Sequence, residues 1–297
     1  MIIELGLQAL NSHCFFTVKN LHFESVGWSR TAYTKADLDL VQKRITDGGI
    51  QVREWDVSPH LGEFWEYIKL PEYAGSYREY GGKDLCSFLE KALEHFVSFK
   101  IAEPKPGQVY MDVGSCVSVV PQILRRQYGT ECYVQDLELP AGVQGWRVGS
   151  NAAHIPLADS SLDGITLHCT FEHFEGDADS QFVRECARLL KIGGKAVILP
   201  LYVNTHWTNI TGETDDSKRR SIAFDEAASF LCVIPEWHNR FGRHYSAAAL
   251  QDRVLEVAAS CELTVELLRV INFERVDPGL WLKWILVLER SKADDEN

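Results

Sequence analysis

The apolar positions of this chain change period near residue 108. Before that point they recur at helical spacing. Leu38, Leu40, Val41 and Ile45 fall near such a period and Gly48-Gly49 stops it, so a helix over 35–47 is predicted. A stronger stripe of Leu85, Phe88, Leu89, Ala92, Leu93, Phe96 and Val97 predicts an amphipathic helix over 84–99. The stretch between them is aromatic, with Trp55, Phe64, Trp65, Tyr67, Tyr73, Tyr77 and Tyr80. No strand–helix rhythm runs through 1–100, which is therefore expected to form an N-terminal helical cap.

From 108 onward short apolar runs alternate with amphipathic ones. Strands are predicted at 108–113, 131–135, 146–149, 162–168 and 195–201, with helices at 119–128 and 179–190. Residues 203–245 interrupt the rhythm with a polar stretch rich in Thr, Asp, Trp and His, expected to be a lid or substrate segment. A helix over 247–260 and strands at 263–270 and 281–289 close the chain. No helix fits between those two strands, so they are expected to pair antiparallel. The fold class is α/β: a seven-stranded, mostly parallel, doubly wound sheet over 101–297 with a terminal antiparallel strand pair.

Composition narrows the partners. The 297 residues are 45% apolar and 24% charged, as in ordinary globular proteins. No apolar run reaches the about 20 residues that span a bilayer, and the N-terminus lacks the pattern of a signal peptide, so a cytoplasmic protein is expected. The formal net charge of −12 disfavours nucleic acids and anionic membranes, leaving a small molecule as the expected partner. The eight cysteines form no C-x-x-C pair and are read as reduced. His206, Asp215, Asp216, Glu236 and His238 match no metal-ligand spacing, so no metal is expected.

The candidate chemistry collects at predicted strand ends. Asp112-Val113-Gly114-Ser115-Cys116 joins the first strand to a helix through small residues, as nucleotide-binding turns do. Taken alone, this stretch is equally well an ordinary strand–helix turn. Asp136 ends the next strand, about 20 residues past the turn, where an acid is placed to hold ribose hydroxyls. Asn151-Ala152-Ala153 offers an amide to an adenine edge. His168-Cys169-Thr170-Phe171-Glu172-His173-Phe174 lies at the mouth of the sheet.

Over roughly 108–202 the chain resembles the class I S-adenosylmethionine-dependent methyltransferases, which are Rossmann-like. Met111-Asp112-Val113-Gly114-Ser115-Cys116 is similar to that family's first motif, with Cys116 and Ser118 where two glycines are usual. Asp136 matches its ribose-binding acid, and Asn151-Ala152 its adenine-side Asp-Ala. His154-Ile155-Pro156-Leu157-Ala158-Asp159-Ser160-Ser161-Leu162-Asp163 resembles its "LPF-x-D-x-SFD" segment, and Phe171-Glu172-His173-Phe174 its "LEH" motif. Arg184-Glu185-Cys186-Ala187-Arg188-Leu189-Leu190-Lys191-Ile192-Gly193-Gly194 is close to "E-x-x-R-V-L-K-P-G-G".

The resemblance implies a methyltransferase with S-adenosylmethionine as cofactor and S-adenosylhomocysteine as product. It assigns cofactor contacts to Asp112, Gly114, Ser115, Asp136, Leu137, Asn151, Ala152 and His168. Methyl transfer to a hydroxyl needs a base, and His173, His206 and His244 are candidates, with Glu172 beside the first. Tyr73, Tyr77, Tyr80, Trp207, Arg240, Arg243 and Tyr245 are expected to contact the acceptor. A sugar or other hydroxylated metabolite is the first acceptor class, from a likeness of 84–100 and 240–246 to methyltransferases of glycan biosynthesis. The altered first motif leaves open an inactive methyltransferase-fold binding protein. A nicotinamide dehydrogenase is disfavoured by the missing G-x-G-x-x-G.

Overall fold

The computed structural model describes residues 15–18, 21–26, 34–74, 85–115, 118–233 and 239–291. β1 (Phe15–Val18) and β2 (Leu21–Val26) pair antiparallel. α1 (Lys35–Asp47) begins in a capping box: the Thr34 hydroxyl accepts the Asp37 N–H, and the Asp37 carboxylate accepts the Thr34 N–H. It buries Leu38, Val41 and Ile45. β3 (Val52–Asp56), α2 (Leu61–Tyr67) and α3 (Leu85–Ala102) follow.

The alternation predicted from 108 is present. β4 (Val109–Val113) leads to α4 (Val120–Tyr128), which carries Pro121 in its first turn and ends on left-handed Gly129. β5 (Glu131–Gln144), β6 (Arg147–Gly149), β7 (Leu162–His168), α5 (Ala178–Leu189) and β8 (Leu190–Leu199) complete the first half. Then come β9 (Thr208–Thr211), β10 (Ser229–Val233) and β11 (Gly242–His244). A helix over 247–260, α6, carries a π-turn at Gln251–Leu255. β12 (Leu263–Ile271) and β13 (Trp284–Arg290) end the fold.

The main sheet has the order β3-β12-β13-β8-β7-β4-β5-β6. All neighbouring pairs are parallel except those of β13, which runs against both β12 and β8. Helices cover both faces. One layer seats α1, α5 and α6 through residues such as Val41, Phe182 and Leu250. The other seats α2, α3 and α4 through Phe64, Leu93 and Ile123. Strands buried on both faces read as continuous apolar runs, which is why β4, β7 and β8 were legible.

Two features depart from expectation. The sheet has eight strands, not seven, because β3 adds to the edge parallel to β12. Its sequence, Val52-Arg53-Glu54-Trp55-Asp56, is polar because it is an edge strand with solvent on one side. Residues 1–100 thus supply strands as well as helices. The 203–245 segment is also more than a loop. Its strands join the N-terminal hairpin in a second sheet of order β1-β2-β10-β9-β11.

Candidate active site

β4 and β5 lie side by side and parallel, with Asp112 opposite Val134 and Val113 opposite Gln135. Just past β4 the chain turns at Gly114, where φ is +63°. A β-carbon there would lie 2.4 Å from Thr170 Cγ2, so glycine is required twice over. Gln135 fastens the turn: its side-chain oxygen accepts the Gly114 N–H at 3.2 Å, and its carbonyl accepts the Ser115 N–H at 3.0 Å. Its amide donates to the Ser150 carbonyl. These strand ends surround a cavity of about 350 Å³. Gly114, Asp136, Leu137, Asn151 and Ala152 line it from β4–β6, and Thr170, His173, Phe174 and Glu175 from the turn after β7.

Five of the eight expected cofactor residues therefore meet at one hollow. Asp136 sits opposite Gly149, and one carboxylate oxygen accepts the Glu138 N–H at 3.0 Å. Leu137 is 73% exposed, an apolar side chain left open at the rim. Asn151 Oδ1 accepts the Ala153 N–H at 2.9 Å, leaving its amide hydrogens and a second lone pair for a ligand. The loop bearing Asn151 and Ala152 is clamped by Glu185 and Arg188 of α5. Glu185 accepts the Ile155 N–H at 2.8 Å, and Arg188 donates to the carbonyls of Ile155 and Leu157.

Asp112, Ser115 and His168 stand elsewhere. Asp112 is buried beneath the turn and accepts from Ser115 Oγ (2.7 Å) and Thr166 Oγ1 (3.1 Å), with His168 Nδ1 at 3.3 Å. His168 Nε2 meets Ser98 Oγ of α3 at 3.0 Å. This is an internal network that shapes the turn, and none of the three lines the cavity. Side chains at a strand end alternate in direction, so sequence position alone does not say which ones reach the hollow.

Of the candidate bases, His173 lines the cavity. Its Nδ1 lies 2.5 Å from the Phe241 carbonyl, which places the ring proton on Nδ1. Nε2 lies 3.7 Å from Glu172 Oε1. Glu172 is buried, and burial raises its carboxyl above the usual range. His206 is exposed and borders a separate hollow of about 660 Å³ with Arg44 and Trp207. The two hollows share no lining residue. His244 is buried, stacks on Tyr202 at 4.9 Å, and is pushed down to about 3 by burial, so it stays neutral. Neither of these two reaches the cavity.

The expected acceptor residues are scattered. Tyr73 is buried, with its hydroxyl 2.9 Å from His95 Nδ1. Trp207 belongs to the second hollow. Arg243 is fully buried: it pairs with Asp225 (2.7 Å) and Asp179 (3.0 Å) and donates to the carbonyls of Phe174 and Gly176. Tyr245 is buried too and donates to Asp179 at 2.7 Å. Both are structural because an unpaired charge or hydroxyl at that depth would be costly. Among the described ones only Arg240 reaches the rim, through Glu175 at 2.6 Å. Tyr77, Tyr80 and Cys116 lie outside the described residues. Thr170 and Phe174 were anticipated only as part of the 168–174 stretch, and Gln135 and Glu175 were not; a Gln after an apolar run was the one available signal.

Residues 111–198 match the family described as "Methyltransferase domain". This stretch includes the Gly114 turn, Asp136, Asn151 and His173. The match spans less than a third of the chain. The matched stretch holds β4 to β8 of the main sheet, and β13, from outside it, lies antiparallel beside β8. Among curated proteins no sequence matches the chain. Similar solved structures include phosphoethanolamine N-methyltransferase 2 of Haemonchus contortus with S-adenosyl-L-methionine. It is 12% identical over 77% of this chain and 60% of that one, with a TM-score of 0.44. Another is 1,6-didemethyltoxoflavin-N1-methyltransferase of Burkholderia thailandensis with 1,6-didemethyltoxoflavin and S-adenosylhomocysteine. It is 14% identical over 77% of this chain and 90% of that one, with a TM-score of 0.42. Among the described residues no helix is long and apolar enough to cross a membrane, and no group of three metal-ligating side chains gathers.

Proposed function

We propose that this chain is an S-adenosylmethionine-dependent methyltransferase acting on a hydroxyl of a small molecule, a sugar or another hydroxylated metabolite. The observation that carries the cofactor reading is the single cavity shared by Gly114, Asp136, Asn151, Ala152 and His173. Asp136 would accept from the ribose hydroxyls, Asn151 would meet the adenine edge, and the open face of Leu137 would be covered by the ring. The Gly114 turn would give the amino-acid end close approach to backbone. When bound, S-adenosylmethionine supplies a sulfonium methyl carbon to in-line attack.

His173 takes the acceptor's proton in this reading. With one ring proton committed to the Phe241 carbonyl, Nε2 is the nitrogen that gains the second. Glu172, 3.7 Å away, stabilises the imidazolium that results. The acidic surface of the whole chain agrees with a small acceptor. The test is turnover with hydroxylated acceptors. His173→Ala is expected to lower kcat by roughly 10²–10⁴-fold, with cofactor affinity nearly unchanged by calorimetry. His206→Ala, at the other hollow, is expected to leave both alone. A His173→Ala enzyme with wild-type kcat would remove the histidine from the mechanism.

A further inference from the structure

Gln135 is only 2% exposed, and in the main sheet it stands between two valines, Val113 of β4 and Val148 of β6. A buried amide is costly unless both of its ends are paired. Here both are, and the partners lie in different walls of the cavity. Oε1 accepts the Gly114 N–H at 3.2 Å, in the turn after β4. Nε2 donates to the Ser150 carbonyl, in the loop that carries Asn151. The reversed amide would set N–H against N–H and oxygen against oxygen, so the two partners fix its orientation. The backbone carbonyl of Gln135 also accepts the Ser115 N–H at 3.0 Å. One side chain thus reaches from beyond the end of β4 to beyond the end of β6, and it lines the cavity itself.

Each wall has a brace of its own. Asp112 accepts from the Ser115 hydroxyl beneath the turn, and Glu185 and Arg188 of α5 hold the Asn151 loop through Ile155 and Leu157. These braces shape the walls one at a time. The ladder of β4, β5 and β6 sets their spacing within the sheet; past the strand ends, where the cavity opens, the Gln135 amide joins them. That spacing matters to a ligand with two ends. In the cofactor reading the amino-acid end meets the turn and the adenine meets the loop. The ribose lies between them at Asp136, the residue after Gln135. A molecule joined across two subsites gains from both only when their separation matches its own.

We propose that Gln135 is a positioning residue. It holds the Gly114 turn and the Asn151 loop at the separation that lets one molecule bind both, and so makes the site select the intact cofactor over nucleosides that lack an amino-acid end. This rests on the cavity being the cofactor site.

The experiment is isothermal titration of the full chain with S-adenosylhomocysteine and with adenosine, which has no amino-acid end. The wild type is expected to bind S-adenosylhomocysteine more tightly. Gln135→Met keeps the length of the side chain and removes the amide. It is expected to weaken S-adenosylhomocysteine at least about tenfold, for the loss of both hydrogen bonds, and adenosine less than about threefold, because Glu185 and Arg188 still brace the adenine loop. A merely structural role would weaken the two ligands alike. Gln135→Glu gives a second measurement. Its protonated carboxyl offers an acceptor and a donor, as the amide does, whereas the carboxylate offers acceptors alone. Its preference for S-adenosylhomocysteine over adenosine is expected to lie nearer the wild type at about pH 5 than at about pH 8, with the wild type titrated at both. A Gln135→Met protein that keeps the wild-type ratio of the two affinities, or a Gln135→Glu protein equally impaired at both pH values, would overturn the inference. A wild-type chain that binds neither ligand would instead strike the cofactor reading beneath it.

Discussion

Asp112 stands near the end of β4 and Asp136 in the interior of β5, opposite the last residue of β6, yet only one opens to the cavity. Asp112 is spent inside, on Ser115, Thr166 and His168, while Asp136 lines the hollow. Both read in the sequence as acids at strand ends, but β5 runs on to Gln144, and which acid reaches the cavity was not legible because side-chain direction depends on packing. Gly114 is the residue at which the turn is most sharply specified. In Gly114→Ala a left-handed φ costs about 1–2 kcal/mol, and the added carbon meets Thr170 at 2.4 Å. The variant is expected to melt lower and to bind S-adenosylhomocysteine at least about tenfold more weakly, the equivalent of ~1.4 kcal/mol. Thr170→Ala in the same background removes the two nearest clashing atoms and should recover part of the loss. Differential scanning calorimetry and isothermal titration together would show whether both effects appear.

At the scale of elements, the second sheet is fastened to the cavity wall by buried charge. Arg243 on β11 binds Asp225, Asp179 at the start of α5, and the carbonyls of Phe174 and Gly176. Arg253 of α6 and Tyr245 share Asp179. Arg243→Met strands Asp225 and Asp179 with fewer cations, and removing one partner of a buried pair costs about 3–5 kcal/mol. Urea unfolding should report a loss of that order; a loss within the scatter of surface substitutions would mean the network is dispensable. This sheet was hidden in the sequence for a physical reason. β9 is four residues long, and β10 pairs with β2, some two hundred residues earlier. Such pairings leave no local period. The βα units after residue 108 were legible because β4, β7 and β8 are buried on both faces and α4 and α5 each carry their own stripe.

At the scale of the whole molecule, the parallel core and its final antiparallel strands follow from the alternation of apolar runs, but the N-terminal hundred residues do not. They add an edge strand and a helical layer to the main sheet, and a hairpin to the second one. α3 packs over the end of β7, where Cys169 donates to Glu94 and His168 meets Ser98, so segments distant in sequence brace the turn beside the cavity. Those contacts were not legible in the sequence, where 84–99 reads as an ordinary amphipathic helix.

The central claim is that the hollow between the Gly114 turn and Asn151 receives an adenosyl cofactor. A crystal structure with S-adenosylhomocysteine tests it most directly. The ribose is expected against Asp136, the adenine beside Asn151 and Ala152, and the sulfur on the side of Thr170 and His173. Nucleoside density in the hollow near His206 and Trp207 instead, or an Asp136 carboxylate that touches no part of the ligand, would contradict the account.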